Sequence, residues 1–299
     1  MKKLEELLFL QSLPGIGKAS IYKKYMNLLA ESEGIDCLAE MLGIDLSSIV
    51  PVKEKIKSRM DHLLSCPGLK AFTVLDEEYP AFLHALGNKR PLVIYVRGNA
   101  SLLRSPGIAV IGTRAPSKHT RRIEPGLVKN LIEFTGESII SGLAMGCDTI
   151  AHAAALTCHG KTIAVLPSGF DHIFPEENRE LADRIALCGS CLLSEYFPDS
   201  ESSRYTFVER DRIIAALSHT VFAVECGKNS GTMETVKAAK NIQRKLRCYM
   251  PKDMQLGDYS GNEYMVREMG AVAVRNTAGL KTVLEGIPGM DPASLYMSI

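Results

Sequence analysis

The chain divides by the spacing of its apolar residues. In residues 1–65 they recur at helical intervals: Leu4, Leu7, Leu8 and Leu10 come first, and amphipathic pieces follow near 35–42 and 52–64. No strand-like pattern precedes "FTVLD" at 72–76, and "CPGLK" at 66–70 carries the Pro-Gly of a boundary. From about residue 72, short apolar runs alternate with helical stretches. The runs are "PLVIYVRG" 91–98, "GIAVIGT" 107–113, "SIISGLA" 138–144, "KTIAVLPSG" 161–169, "GSCLLSEY" 189–196, "HTVFAVEC" 219–226 and "LRCYMP" 246–251. Helices are predicted between them near 119–135, 147–158, 176–187, 207–217 and 231–245. Continuously apolar runs predict strands buried on both faces. Crossover helices between such strands predict a parallel, doubly wound sheet. The expected fold class is therefore α/β, a mostly parallel sheet preceded by a small all-helical domain. The expected divisions are a helical domain 1–67, a sheet domain 68–278 and a C-terminal tail 279–299.

In open α/β sheets, ligands bind outside the carboxyl ends of the strands. After the 107–111 run stand Gly112, Thr113 and Arg114, and after 138–140 stand Ser141 and Gly142. The run ending at 224 leads into Lys228, Ser230, Gly231 and Thr232. Glycines let a backbone approach a phosphate, and hydroxyls and N–H groups at a helix start point at it. Any one such loop is equally well a capped turn. Several on one sheet edge, with Arg114 and Lys228 among them, make an anion site. Neither a Walker A motif nor a complete GxGxxG is present, so neither an NTPase nor an ordinary dinucleotide site is supported. Arg204, Arg210 and Arg212 precede an apolar helix, balanced by Glu209 and Asp211. Lys237, Lys240, Arg244 and Arg247 are predicted to form one basic face of the 231–245 helix and its end.

Composition narrows little. The 299 residues are 46% hydrophobic and 23% charged, with a formal net charge of +1. That balance suits an ordinary soluble protein and advertises no polyanion partner, so any nucleic acid must be held by a local basic patch. No apolar run approaches a membrane span. "MKKLEELLFL" lacks the pattern of a signal peptide, since Glu5 and Glu6 interrupt it. Eight scattered cysteines then read as reduced thiols of a cytoplasmic protein. Cys188 and Cys191 have redox or zinc spacing but no second CxxC, so no metal and no cofactor are expected there.

Several of these motifs, in order, resemble one family. "IAVIGTR", "SGLAMGCDTIAHAAAL", "TIAVLPSGFDHIFPEENREL", "LLSEY", "RDRIIAALS", "VECGKNSGTMETVKAA" and "NEYMVREMGA" are similar to the DNA-processing protein A family (DprA, also called Smf). The similarity runs from about 70 to 275. It implies an extended Rossmann-like domain that binds single-stranded DNA without turnover, passes it to the RecA recombinase during natural transformation, and works as a homodimer. The family's Gly-Ser-Arg loop falls on Gly112, Thr113 and Arg114, and its Ser-Gly turn on Ser141 and Gly142. Its Ser-Gly-[ST] loop and following lysine fall on Ser230, Gly231, Thr232 and Lys237, and its arginine before the "IIA" helix on Arg212. Thr113, Cys147, Asp211 and Ala216 depart from the usual Ser, Ile, Asn and Gly. The family's common C-terminal winged-helix domain is not expected here. "LPGIG" with Lys18 resembles a helix-hairpin-helix, whose turn offers N–H groups to a DNA phosphate. The segment "YMVREMGAVAV" at 264–274 could supply an apolar edge to a dimer.

A second reading is enzymatic. "NSGTMET" also resembles the phosphate loop of the lysine-decarboxylase-like phosphoribohydrolases, in which Arg114 and 230–232 would hold a nucleoside monophosphate and Glu234 would act as the acid. The second glycine of that motif is missing. A third reading is a nucleotide sensor.

Overall fold

Five helices open the chain: α1 (Lys2–Ser12), α2 (Lys18–Ser20), α3 (Met26–Glu31), α4 (Ile35–Met41) and α5 (Val50–Ser65), with a π-helical turn Ile21–Tyr25 joining α2 to α3. The structure, a computed structural model, describes residues 2–276 and 280. Leu4, Leu7, Leu8 and Leu10, the stripe read from the sequence, are all buried. They join one continuous apolar cluster with Ile94, Val165, Leu193 and Ile214, so the helical region packs directly onto one face of the sheet.

The sheet has nine strands among the described residues: β1 (Leu69–Thr73), β2 (Val93–Gly98), β3 (Gly107–Ile111), β4 (Ile139–Ser141), β5 (Thr162–Leu166), β6 (Cys191–Ser194), β7 (Ser218–Ala223), β8 (Lys245–Tyr249) and β9 (Val272–Val274). Their order is β1-β2-β6-β5-β4-β3-β7-β8-β9. From β6 to β9 every pairing is parallel, whereas β2 runs antiparallel to both β1 and β6. The fold is the expected α/β class. The expected strand 72–76 begins earlier, because β1 pairs Leu69 with Arg97 and Thr73 with Val93.

Alternation along β3 shows why both faces need covering. Ile108 and Val110 face a cluster with Leu127, Val128 and Ala151, from α6 (Lys118–Thr135) and α7 (Cys147–Thr157). Ala109 and Ile111 face the opposite cluster. There they meet α8 (Arg179–Leu187), α9 (Arg204–Leu217) and α10 (Thr232–Asn241). Helix α11 (Ser260–Glu268) precedes β9, the edge strand on that side among the described residues.

One helix ends sooner than its pattern predicts. The expected 231–245 helix stops at Asn241, because Gln243 takes a left-handed φ of 58° and turns the chain into β8. Arg247 therefore lies on β8, and Arg244 Nη2 donates to the Ala216 carbonyl at 2.9 Å. The single basic face of four residues does not form. Apart from Leu280, the expected tail 279–299 lies outside the described residues. Among those residues, no helix is long and apolar enough to cross a membrane.

Candidate functional site

The strand order fixes the place of the site. The chain builds outward from β3 through β4, β5 and β6, then returns to β7 on the other side of β3 and builds outward again. The reversal lies between β3 and β7. The loops leaving these neighbouring parallel strands diverge there and leave a crevice at their carboxyl ends. Those loops are 112–117 and 224–231.

Their bases are tied together. Val224 N donates to Ile111 O at 2.9 Å, and Thr113 N to Glu225 O at 2.7 Å. The Thr232 hydroxyl, at the start of α10, donates to Gly112 O at 2.9 Å. A Cβ on Gly112 would lie 2.5 Å from Cys147 Sγ, so the close approach of β3 to α7 requires glycine. Gly146 has φ +86°, and its Cβ would meet the carbonyls of Thr113 and Arg114. The backbone under Arg114 is thus held on three sides, while its side chain is exposed. The guanidinium lies 5.3 Å over the ring of Phe207, which meets Phe174 edge-on at 5.3 Å. Among the described residues it has no carboxylate partner within salt-bridge distance. Beside it opens a cavity of about 580 Å³ lined by Arg114, Met145, His172, Phe174, Glu176 and Arg179, among others. Its acids partly offset the arginine; Glu176 is already held by Arg179 at 2.5 Å.

The other predicted residues fall into two groups. Ser230, Gly231 and Thr232 stand at the N-terminus of α10, where helix N–H groups favour an anion. Ser230 Oγ is buried there without a hydrogen-bond partner. Lys228 is exposed, with Nζ 4.7 Å from the Tyr264 ring. Lys237 is exposed and paired with Glu234 at 2.7 Å, and Lys240 reaches the Glu268 carbonyl at 3.3 Å. Glu234, the acid of the enzymatic reading, is therefore a half-buried carboxylate with a lysine partner.

Ser141, Gly142 and Arg212 are interior. Ser141 Oγ donates to Val110 O at 2.7 Å. The Asp148 carboxylate accepts from Gly142 N at 3.1 Å and Ala144 N at 3.3 Å, so the turn's N–H groups already hold an anion of the chain's own. Arg210 donates to the carbonyls of Gly142 and Val165 and pairs with Asp211 at 3.0 Å. Burial raises Asp148 and Asp211, the latter to about 6, against the pull of Arg210. Arg212 is buried against Glu195 at 2.5 Å and Glu209 at 3.4 Å. Lys18, in the segment that resembles a helix-hairpin-helix, also pairs with Glu195, at 2.7 Å. These groups hold α2, α9 and the end of β6 together beneath the site.

Residue-type reasoning missed Phe174, Tyr205 and Phe207. Phe174 is 46% exposed and Tyr205 70% exposed. For Tyr205 and Phe207 the signal is "RYTFVERDR", where aromatics interleave with arginines.

A doubly wound sheet with a rigid cationic loop at its switch point is the frame of an anion-binding protein. The relatives make that frame specific. Residues 70–285 match the family model of the DNA recombination-mediator protein A. The chain is 32% identical over 208 residues to the DNA processing protein DprA of Bacillus subtilis, covering 69% of this chain and 68% of that protein. It is 36% identical over 224 residues to the protein Smf of Synechocystis, covering 72% of this chain but 54% of that longer relative. The X-ray structure of DNA processing protein A from Streptococcus pneumoniae superposes with a TM-score of 0.68 at 26% identity, covering 94% of this chain and 92% of the other. DNA processing protein A of Helicobacter pylori, whose single-stranded-DNA binding mode has been described structurally, gives 0.63 at 28% identity over 72% of this chain and 96% of the other. The chain belongs to the DNA recombination-mediator protein A family.

Proposed function

We propose that this protein binds single-stranded DNA without sequence preference along the β3–β7 crevice, and does so without chemical turnover. The observation that carries the reading is the exposed Arg114 guanidinium on a fixed loop, set over the Phe207 ring with the exposed Phe174 ring beside it. Non-specific single-strand binders combine cations for phosphates with aromatic faces on which bases stack. The N-terminus of α10 adds a second position that favours a phosphate. Lys228, Lys237 and Lys240 extend the positive track from there. The nucleotide-enzyme reading has less support, because the half-buried Glu234 is paired with Lys237. The relatives' names support a place in DNA processing. Within that reading the protein is cytoplasmic, works as a homodimer and hands its strand to the RecA recombinase. The edge strand β9, with Val272 exposed, offers a face for the second copy.

The test is a titration of oligo-dT against wild type and Arg114→Ala at two salt concentrations. Removing one contact should weaken binding about tenfold, roughly 1.4 kcal/mol. It should also flatten the slope of log K against log salt by about 0.7. Duplex DNA should bind more weakly. An Arg114→Ala protein that binds oligo-dT like wild type, yet loses protection from heat by a nucleotide, would replace this reading with the nucleotide one.

A further inference from the structure

A second cluster lies where the helical region meets the sheet. His62 occupies the last turn of α5, and Cys66 follows at its C-cap, four residues on and thus on the same face. Asp171 comes from the loop after β5. One ligand atom from each of the three residues lies within 4.8 Å of the others, and His62 Nε2 is 3.2 Å from Asp171 Oδ2.

We propose that His62, Cys66 and Asp171 form a binding site for a zinc-class divalent cation, with water in the fourth position. An imidazole, a thiolate and a carboxylate are the donors that a borderline-soft ion takes, whereas magnesium and calcium select oxygen alone. Zinc bonds of about 2.0–2.3 Å separate tetrahedral ligands by about 3.3–3.8 Å, so the three atoms need close by only about an ångström. Both arms are already anchored to one stretch of chain. The His62 ring meets the buried Phe197 edge-on at 5.9 Å. Asp171 N donates to Pro198 O at 3.0 Å, and Gly169 N to Ser200 O at 2.8 Å. Burial and the Asp171 charge both raise the Cys66 thiol. A cation held between them cancels the second effect and favours the thiolate.

The sequence hid this site, because its one CxxC lies elsewhere and His62 and Cys66 have no local partner. Bound metal would clasp α5 to the 167–175 segment, whose far end carries His172 and Phe174 into the wall of the Arg114 cavity. The site itself stands independently of the DNA reading.

The test uses the tag-free full chain, freed of metal with a chelator and titrated with Co(II). Wild type should saturate at one equivalent, with a thiolate-to-cobalt charge-transfer band in the near ultraviolet and tetrahedral d–d bands that Zn(II) bleaches. Cys66→Ala should lose the charge-transfer band, while Cys188→Ala should keep it. Asp171→Ala, a change on an exposed loop, should lose the rise in Tm that Zn(II) gives wild type. The proposal is overturned by the absence of any cobalt spectrum, which would leave only a His62–Asp171 ion pair. It is equally overturned by a charge-transfer band that survives Cys66→Ala, or by Asp171→Ala titrating like wild type.

Discussion

Glu124 lies fully buried on α6, with the Cys147 thiol as its hydrogen-bonding neighbour. Burial pushes its pKa from 4.5 up to about 9; the Cys147 thiol works against the shift, and the charges of Asp148 and Glu225 work with it. The folded protein therefore holds a proton that the unfolded chain releases across most of the physiological range. Linkage gives the sign. The stability tied to this group is complete below about 4.5, declines through the window, and is gone above about 9. Within the window the decline is about 1.4 kcal/mol per pH unit. Glu124→Gln keeps the shape and does not titrate. Its amide brings donors without partners, a pH-independent cost of roughly 1–3 kcal/mol. The signature is therefore a slope. Measured by urea unfolding from pH 5.5 to 8.5, the stability of Glu124→Gln relative to wild type should rise by about 1.4 kcal/mol per unit. The slope flattens where the folded carboxyl itself begins to titrate, so the lower part of the range carries the test. A difference that stays flat across these pH values would mean that the carboxylate is ionised in the fold, and the reasoning would fail.

Arg212→Ala should lower the urea midpoint by the equivalent of about 1.5–3 kcal/mol, since it leaves Glu195 with Lys18 alone and Glu209 with a distant Lys18. Arg114→Ala should leave that midpoint unchanged, and equal midpoints for the two variants would refute the division between them. Gly112→Ala should cost about 1–3 kcal/mol, because the new methyl meets Cys147 Sγ and Cβ and the Glu225 carbonyl; a wild-type thermal midpoint would show that α7 yields freely. Gly126→Ala, in the exposed interior of α6 with open space around the new carbon, should stabilise by about 0.5–1 kcal/mol, and a lowered Tm would count against the helical reading of that turn.

The sheet was legible because its strands are buried on both faces and read as unbroken apolar runs; β3, β5 and β7 fall where those runs predict. The antiparallel placement of β2 between β1 and β6 was not legible, since periodicity carries no partner. The end of α10 was missed for a local reason. No glycine or proline marks the stop, and Gln243 turns the chain in a conformation that the sequence pattern does not announce. The loops of the site were found by residue type, but type does not tell an outward hydroxyl from an inward one. The Ser141 hydroxyl donates to a β3 carbonyl, and the Ser230 hydroxyl is buried without a partner. The aromatic rim was overlooked because Phe174 and Phe207 are distant in sequence and meet only when α9 packs beside the loop after β5.

The arrangement of cations follows from what the turn at the sheet edge must satisfy. Parallel strands end with carbonyls and N–H groups that their neighbours no longer pair, and here side chains of the protein meet them. Asp148 takes N–H groups from the 142–144 turn, and Arg210 takes carbonyls from Gly142 and Val165. A buried arginine that already meets carbonyls and a carboxylate cannot exchange them for a phosphate without stranding them. Such residues can set the position of a ligand but cannot release counterions when it binds. On the proposed reading, the electrostatic part of DNA binding falls to the exposed cations, and among these Lys237 must first give up Glu234. Arg114 has no such debt. Its backbone is fixed by Gly112, Gly146 and the β7 loop, and its partner in the fold is the face of a ring. A flat cation stacked on an aromatic keeps its hydrogen-bonding edge open, so the same residue can meet a phosphate while the rings beside it meet a base.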